Sequence, residues 1–254
     1  MANIIEKKLI SYIDKTDVNK SSHWKKYLDK NSSFKNKTSN LGFGTYTSKS
    51  YKDIFHKFLQ KLIFGNKVFK SEIFQKYKKI FDLQNRLIDT DTIRHILTFE
   101  KLKNKVNPKK ICIIGDGKIN GILGAHLTFP GAKIFSVNLS ETLINDYVIL
   151  KDLDIRLAES IELVDKIEFK TSNKILHIIP SHLKNFLLNR NIDLFINIAS
   201  FQEMNVNEIN KYFFIIKNNK SKIYCCNREY KKLFGNEEIY FNKYPWGNPK
   251  KLFW

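Results

Sequence analysis

The chain is poor in cysteine and arginine and has no long apolar run, and each shortage narrows what it can be. Three cysteines among 254 residues, Cys112, Cys225 and Cys226, do not make a disulfide framework. Cys225 and Cys226 are neighbours in the strand-like run Lys222-Ile223-Tyr224-Cys225-Cys226. Adjacent strand residues point to opposite faces, so the pair is expected to be buried, reduced thiols and not ligands of one metal. No apolar run approaches the ~20 residues needed to cross a bilayer. The stretch from Met1 to Asp14 is broken by Glu6, Lys7 and Lys8, which argues against a signal-peptide core. A cytoplasmic protein without a transmembrane segment is the expectation. Scarce arginine qualifies the formal charge of +19. Lysines are scattered along the chain and alternate with acids between Lys151 and Lys170. Phosphate-reading surfaces favour arginine forks, so the charge reads as compositional bias and nucleic acid is disfavoured as a partner.

The chain does carry 43% hydrophobic residues, enough for a sizeable core. Two regions differ in pattern. Residues 1–105 read as a helical cap or lid region, with apolar residues at three-and-four spacing over Ile4 to Ile13, Tyr51 to Phe64, Glu72 to Leu83 and Thr90 to Leu102. Ser71 precedes the third of these, and Asp89 or Asp91 precedes Ile93 in the fourth, as helix caps do. The polar stretch Lys30 to Ser50, with Gly42-Phe43-Gly44-Thr45-Tyr46, reads as a connector. Residues 106–254 alternate strand and helix. Expected strands are Ile111–Ile114, Lys133–Val137, Ile175–Ile179, Asp193–Ala199, Lys222–Asn227 and Glu238–Phe241. Expected helices are Gly121–Thr128, Glu141–Leu153, Ala158–Lys166, His182–Leu188 and Asn207–Asn218. Short apolar strands separated by helices predict an α/β fold, a Rossmann-like and mostly parallel sheet with helices on both faces. In such sheets the ligand lies beyond the carboxyl ends of the strands.

The first strand runs into Gly115-Asp116-Gly117-Lys118-Ile119-Asn120-Gly121. Glycines permit a sharp turn and let a ligand lie against bare main chain. The dinucleotide fingerprint Gly-x-Gly-x-x-Gly is broken, because Asn120 stands in its third place. A pyrophosphate needs close packing at that helix N-terminus, so the loop leans from NAD towards S-adenosylmethionine. The second strand ends in Asn138-Leu139, where Rossmann sites hold a ribose. An amide there can still accept from a hydroxyl. Ser140 reads as the cap of a helix starting at Glu141.

The next rim segment is Asn197-Ile198-Ala199-Ser200-Phe201-Gln202-Glu203-Met204-Asn205, and Tyr224-Cys225-Cys226-Asn227-Arg228-Glu229 follows on the same rim. Together with Ile114-Gly115-Asp116-Gly117, Phe129-Pro130 and Val137-Asn138-Leu139-Ser140-Glu141-Thr142-Leu143, these segments resemble the bacterial sugar O-methyltransferase family. The resemblance covers residues 108 to 246. It implies a class I methyltransferase fold, S-adenosylmethionine as donor, and a glycan or sugar-nucleotide acceptor. The chain departs from the common methyltransferase pattern at three places: Ile113 replaces an acid, Ile119 a glycine and Asn138 the ribose acid.

Methyl transfer to a hydroxyl needs alignment and a base. The candidate bases are Glu203, the acid nearest the rim, and His182, which follows the third expected strand. Donor contacts are assigned to Gly115, Asp116, Gly117, Asn138, Leu139 and Ser200. Acceptor contacts are assigned to Gln202, Asn227 and Arg228. No metal site is expected, and a homodimer is compatible with the N-terminal helices. The alternatives are a nucleic-acid methyltransferase and a non-catalytic Rossmann scaffold. Amino-methylating nucleic-acid enzymes carry a Pro-Pro-aromatic turn after the fourth strand, where this chain has Ala199-Ser200-Phe201.

Overall fold

The computed structural model describes residues 2–30, 51–153 and 156–247. The connector motif at residues 42–46 lies outside them. The N-terminal region contributes α1 (Ala2–Ser11), α2 (Ile13–Thr16), α3 (Ser22–Lys30), α4 (Tyr51–Phe64), α5 (Asn66–Phe69), α6 (Glu72–Leu83) and α7 (Thr90–Leu102). The expected caps are in place. Ser71 accepts from the Phe74 N–H to start α6, and Asp89 accepts from the Thr92 N–H to start α7.

Strand and helix then alternate: β1 (Lys110–Ile114), α8 (Asn120–Thr128), β2 (Lys133–Asn138), α9 (Ser140–Lys151), α10 (Arg156–Glu159), β3 (Ile161–Leu163), β4 (Leu176–Pro180), β5 (Leu194–Ile198), α11 (Val206–Asn218) and β6 (Lys222–Cys226). A hairpin of β7 (Tyr230–Lys232) and β8 (Glu238–Tyr240) follows, then a 3-10 turn at Phe241–Lys243. Six strands form one sheet in the order β3-β4-β2-β1-β5-β6, every pair parallel. This is a Rossmann-like α/β sheet flanked by helices.

Strand alternation divides the core between the two faces. Ile111 and Ile113 pack with Phe99, Tyr77 and Leu123 on one side. Cys112 and Ile114 pack with Phe135, Phe186, Phe201 and Tyr212 on the other. Helices α1, α6 and α7 belong to the first face: Leu9, Ile73, Tyr77 and Ile96 share one contiguous core with the sheet. Gly124 permits this packing, because a Cβ there would lie 2.1 Å from the Phe99 ring. Cys226 packs towards the first core and Cys225 towards the second, as strand alternation requires.

Four expectations are corrected. The helix expected over Ala158–Lys166 is instead α10 followed by edge strand β3, whose neighbour Val164 donates its N–H to Ile178 O at 3.0 Å. Leu163 and Val164 bury themselves by joining the sheet edge, which a helix there would not achieve. The segment from Ser181 to Leu187 is a 3-10 helix. Strand β8 pairs antiparallel with β7, outside the main sheet. Helix α9 begins at Ser140 without a side-chain cap, and the Ser140 hydroxyl donates to Tyr12 O.

Candidate functional site

The chain leaves β1 towards β2 and β4, then returns across β1 to β5. The crossovers diverge at the carboxyl ends of β1 and β5, and such a switch point opens a crevice. A cleft with about 890 Å³ of open space lies there. Its floor is the glycine loop, and its walls are Asn138 and Leu139 after β2, Ser181 after β4, and Ala199 and Ser200 after β5. Asn19 and Trp24 reach it from the N-terminal region.

The loop is held in a demanding shape. Gly115 and Gly117 have φ of 76° and 75°. A Cβ on Gly115 would lie 2.1 Å from the Ser200 hydroxyl, so only glycine fits. Ile119 and Ala199 are also left-handed, at φ 58° and 59°. A β-branched residue in that region is strained, and such strain gathers at functional sites. Ala199 lines the cleft, and Ile119, next to the lining residue Lys118, is buried in the core behind it.

Side chains from the helices hold this shape. Asp116 turns its carboxylate onto the start of α8 and accepts from the N–H groups of Ile122, at 2.7 Å, and Gly121. Asp146, from α9, accepts from the N–H groups of Ile119, at 3.1 Å, and Gly117. Arg86 donates to Lys118 O, and Lys118 pairs with Asp89 at 2.8 Å. The second oxygens of Asp116 and Asp146 are buried without a partner among the described residues. Burial raises the pKa of Asp116. Burial, and then the neighbouring Asp116 charge, raises that of Asp146 well above the usual carboxylate range.

Asn197, buried in β5, clamps the opposite rim. Its amide donates to Ile114 O and the Ser200 hydroxyl, and its carbonyl accepts from Phe201 N–H and the Asn227 amide. Asn227 in turn accepts from Gln202 N–H, and Gln202 accepts from Arg228 N–H at 2.8 Å. Gln202 and Asn227 therefore bind the β5 and β6 exits to each other. With Arg228, which is exposed, they lie outside the cleft lining.

Glu203 does line the cleft. One carboxylate oxygen pairs with Lys231 at 2.7 Å, and the other lies 3.9 Å from His23 Nε2. Burial lowers the pKa of His23, against the opposing pull of Glu203, which favours its neutral form. The Ser21 hydroxyl donates to Glu203 O, binding the N-terminal segment to this rim. His182 points elsewhere. Its ring meets Tyr12 edge-on at 5.2 Å, and only its neighbour Ser181 reaches the cleft.

Family models, curated proteins and solved structures give no match to this chain.

All six expected donor contacts and Glu203 thus converge on one cleft, while His182, Gln202, Asn227 and Arg228 do not reach it. Sequence reasoning missed Asp146, Asn197, Asn19, Trp24 and Asp91. Two of these left a trace. Asp146 is an acid in the buried stripe Leu143, Tyr147, Leu150, and Asn197 is an amide inside an otherwise apolar strand. The N-terminal residues left none, because nothing local in residues 17–24 says which surface they cross.

Proposed function

We propose that the protein is a methyltransferase using S-adenosylmethionine, with a class I version of this sheet and a sugar hydroxyl as acceptor. The observation that carries the reading is the Asp116 carboxylate seated on the first N–H groups of α8. A dinucleotide needs those donors for its pyrophosphate. Here an internal anion holds them, so the cleft suits a donor without phosphates.

When bound, S-adenosylmethionine supplies a methyl group on a positively charged sulfur, which keeps the bonding electron pair as the methyl leaves. The protein's share is alignment and proton removal. Gly115 and Gly117 keep side chains off the floor where the donor lies. Asn138 already accepts from Leu139 N–H at 2.9 Å, so its amide N–H groups remain to meet ribose hydroxyls. Glu203 takes the acceptor's hydroxyl proton as the new C–O bond forms. Lys231 engages one of its oxygens, which leaves the oxygen facing His23 to receive it. Trp24, in the cleft lining, is an aromatic side chain of the kind that packs on a sugar ring. Arg228, exposed beyond the rim, suits the diphosphate of a sugar nucleotide.

The test is transfer of labelled methyl from S-adenosylmethionine to a panel of sugar nucleotides, with RNA and DNA beside them. Label in the sugar fraction is the expected result. Label in nucleic acid alone, or in neither, refutes the reading.

A further inference from the structure

The outer face of α4 has a composition that the cleft does not explain. Gln60 is buried and donates to Ile88 O, which fixes the inner side of the helix. At 100° per residue, Phe58 and Leu62 then point straight out, with Leu59 and Ile63 on one flank. These four are 56%, 66%, 37% and 71% exposed. They form one contiguous apolar ridge, whereas isolated exposed hydrophobics such as Leu83 need no explanation.

Along the sequence from Ile54 to Ser71, between Asp53 and Glu72, the charge has a single sign. Residues 54–71 hold Lys57, Lys61, Lys67 and Lys70 and no acid. Lys61, Lys67 and Lys70 are exposed. We propose that this ridge docks the protein on an anionic lipid surface. A basic helix with a bulky apolar face lies in the headgroup region, its apolar side in the acyl boundary and its lysines on the headgroups. A second copy of this chain fits less well, because a two-fold contact would bring the lysine-flanked ridge onto itself. A nucleic acid would meet the lysines and leave the apolar ridge in water. It is the opposite, inner side of this helix that leads towards the cleft. Ile88, which holds Gln60, immediately precedes Asp89, the partner of Lys118 on the glycine loop. The docking itself does not depend on which reaction the cleft performs.

The experiment is cosedimentation of the full chain with vesicles at physiological ionic strength. One set is phosphatidylcholine alone, and the other contains about one part in three phosphatidylglycerol. The wild-type chain is expected to bind the anionic set. The Leu62→Ser/Ile63→Ser variant should bind it at least about tenfold more weakly, since both side chains leave the acyl boundary. Lys61→Glu/Lys67→Glu should also weaken binding, and Leu83→Ser should not. All positions changed are already exposed, so an unchanged melting curve checks folding. Four results overturn the proposal. They are no binding to anionic vesicles, binding lost in high salt yet unaffected by Leu62→Ser/Ile63→Ser, a self-association that this variant abolishes without vesicle binding, and capture of RNA by the same ridge in place of vesicles.

Discussion

The Asp116 carboxylate accepts from the Ile122 N–H at 2.7 Å, so the glycine loop caps its own helix. An aspartate inside a Gly-x-Gly turn would ordinarily be assigned to the ligand. Here it is spent on backbone donors that a phosphate would otherwise use. Asp116→Ala should therefore have two effects. Loss of the cap should cost about 1 kcal/mol in urea denaturation at neutral pH. The freed N–H groups should also give the variant a phosphate-dependent rise in melting temperature that the wild type lacks. Equal phosphate responses would show that the carboxylate is not occupying an anion site.

Gly115→Ala places a Cβ against the Ser200 hydroxyl at a backbone angle that alanine resists. We expect a loss of about 2 kcal/mol or more. Adding Ser200→Gly should return part of it, because it removes the clash but not the backbone strain. Denaturation of both variants, with no recovery in the double one, would place the cost elsewhere.

Asp146 makes a prediction in pH. Its pKa is raised in the folded state by burial and by Asp116, so the folded chain keeps a proton that the unfolded chain releases near 3.8. Its contribution to stability is thus complete below that value and is lost as pH rises through the folded pKa. Asp146→Asn keeps the acceptor for Ile119 N–H and carries no titrating proton. Its stability relative to wild type should therefore improve steadily as pH is raised from about 4 to about 8. A pH-independent difference would mean that Asp146 ionises freely in the fold.

Glu203 and Gln202 are sequence neighbours with different work. Glu203→Gln should lower turnover at least about a hundredfold, the scale of a lost general base, with donor affinity nearly unchanged. Gln202→Ala removes the acceptor for Arg228 N–H and should cost about 1 kcal/mol of stability with a smaller effect on turnover. Turnover assays beside denaturation curves separate the two. The reverse pattern would exchange their roles.

Much of the fold was legible because its signals are local. Ser71 and Asp89 announce α6 and α7 through caps that act within three residues. The apolar runs of β1, β2, β4 and β5 announce strands because both faces of each are buried. Strand β3 was not legible. Its three residues become a strand only through β4 beside them, a partner that local pattern does not reveal. The site divides in the same way. A glycine loop at a strand end has to turn there, and Gly115 and Gly117 do so at positive φ. Polar residues past a strand end look alike whether they meet a ligand or one another. Gln202 and Asn227 meet one another, and sequence does not distinguish that from an acceptor site.

Calorimetric titration of the purified chain with S-adenosylmethionine, and separately with NAD, tests the central claim most directly. The account predicts saturable binding of S-adenosylmethionine that Gly115→Ala abolishes, and no heat from NAD. Binding of NAD, or silence at millimolar S-adenosylmethionine, would contradict it.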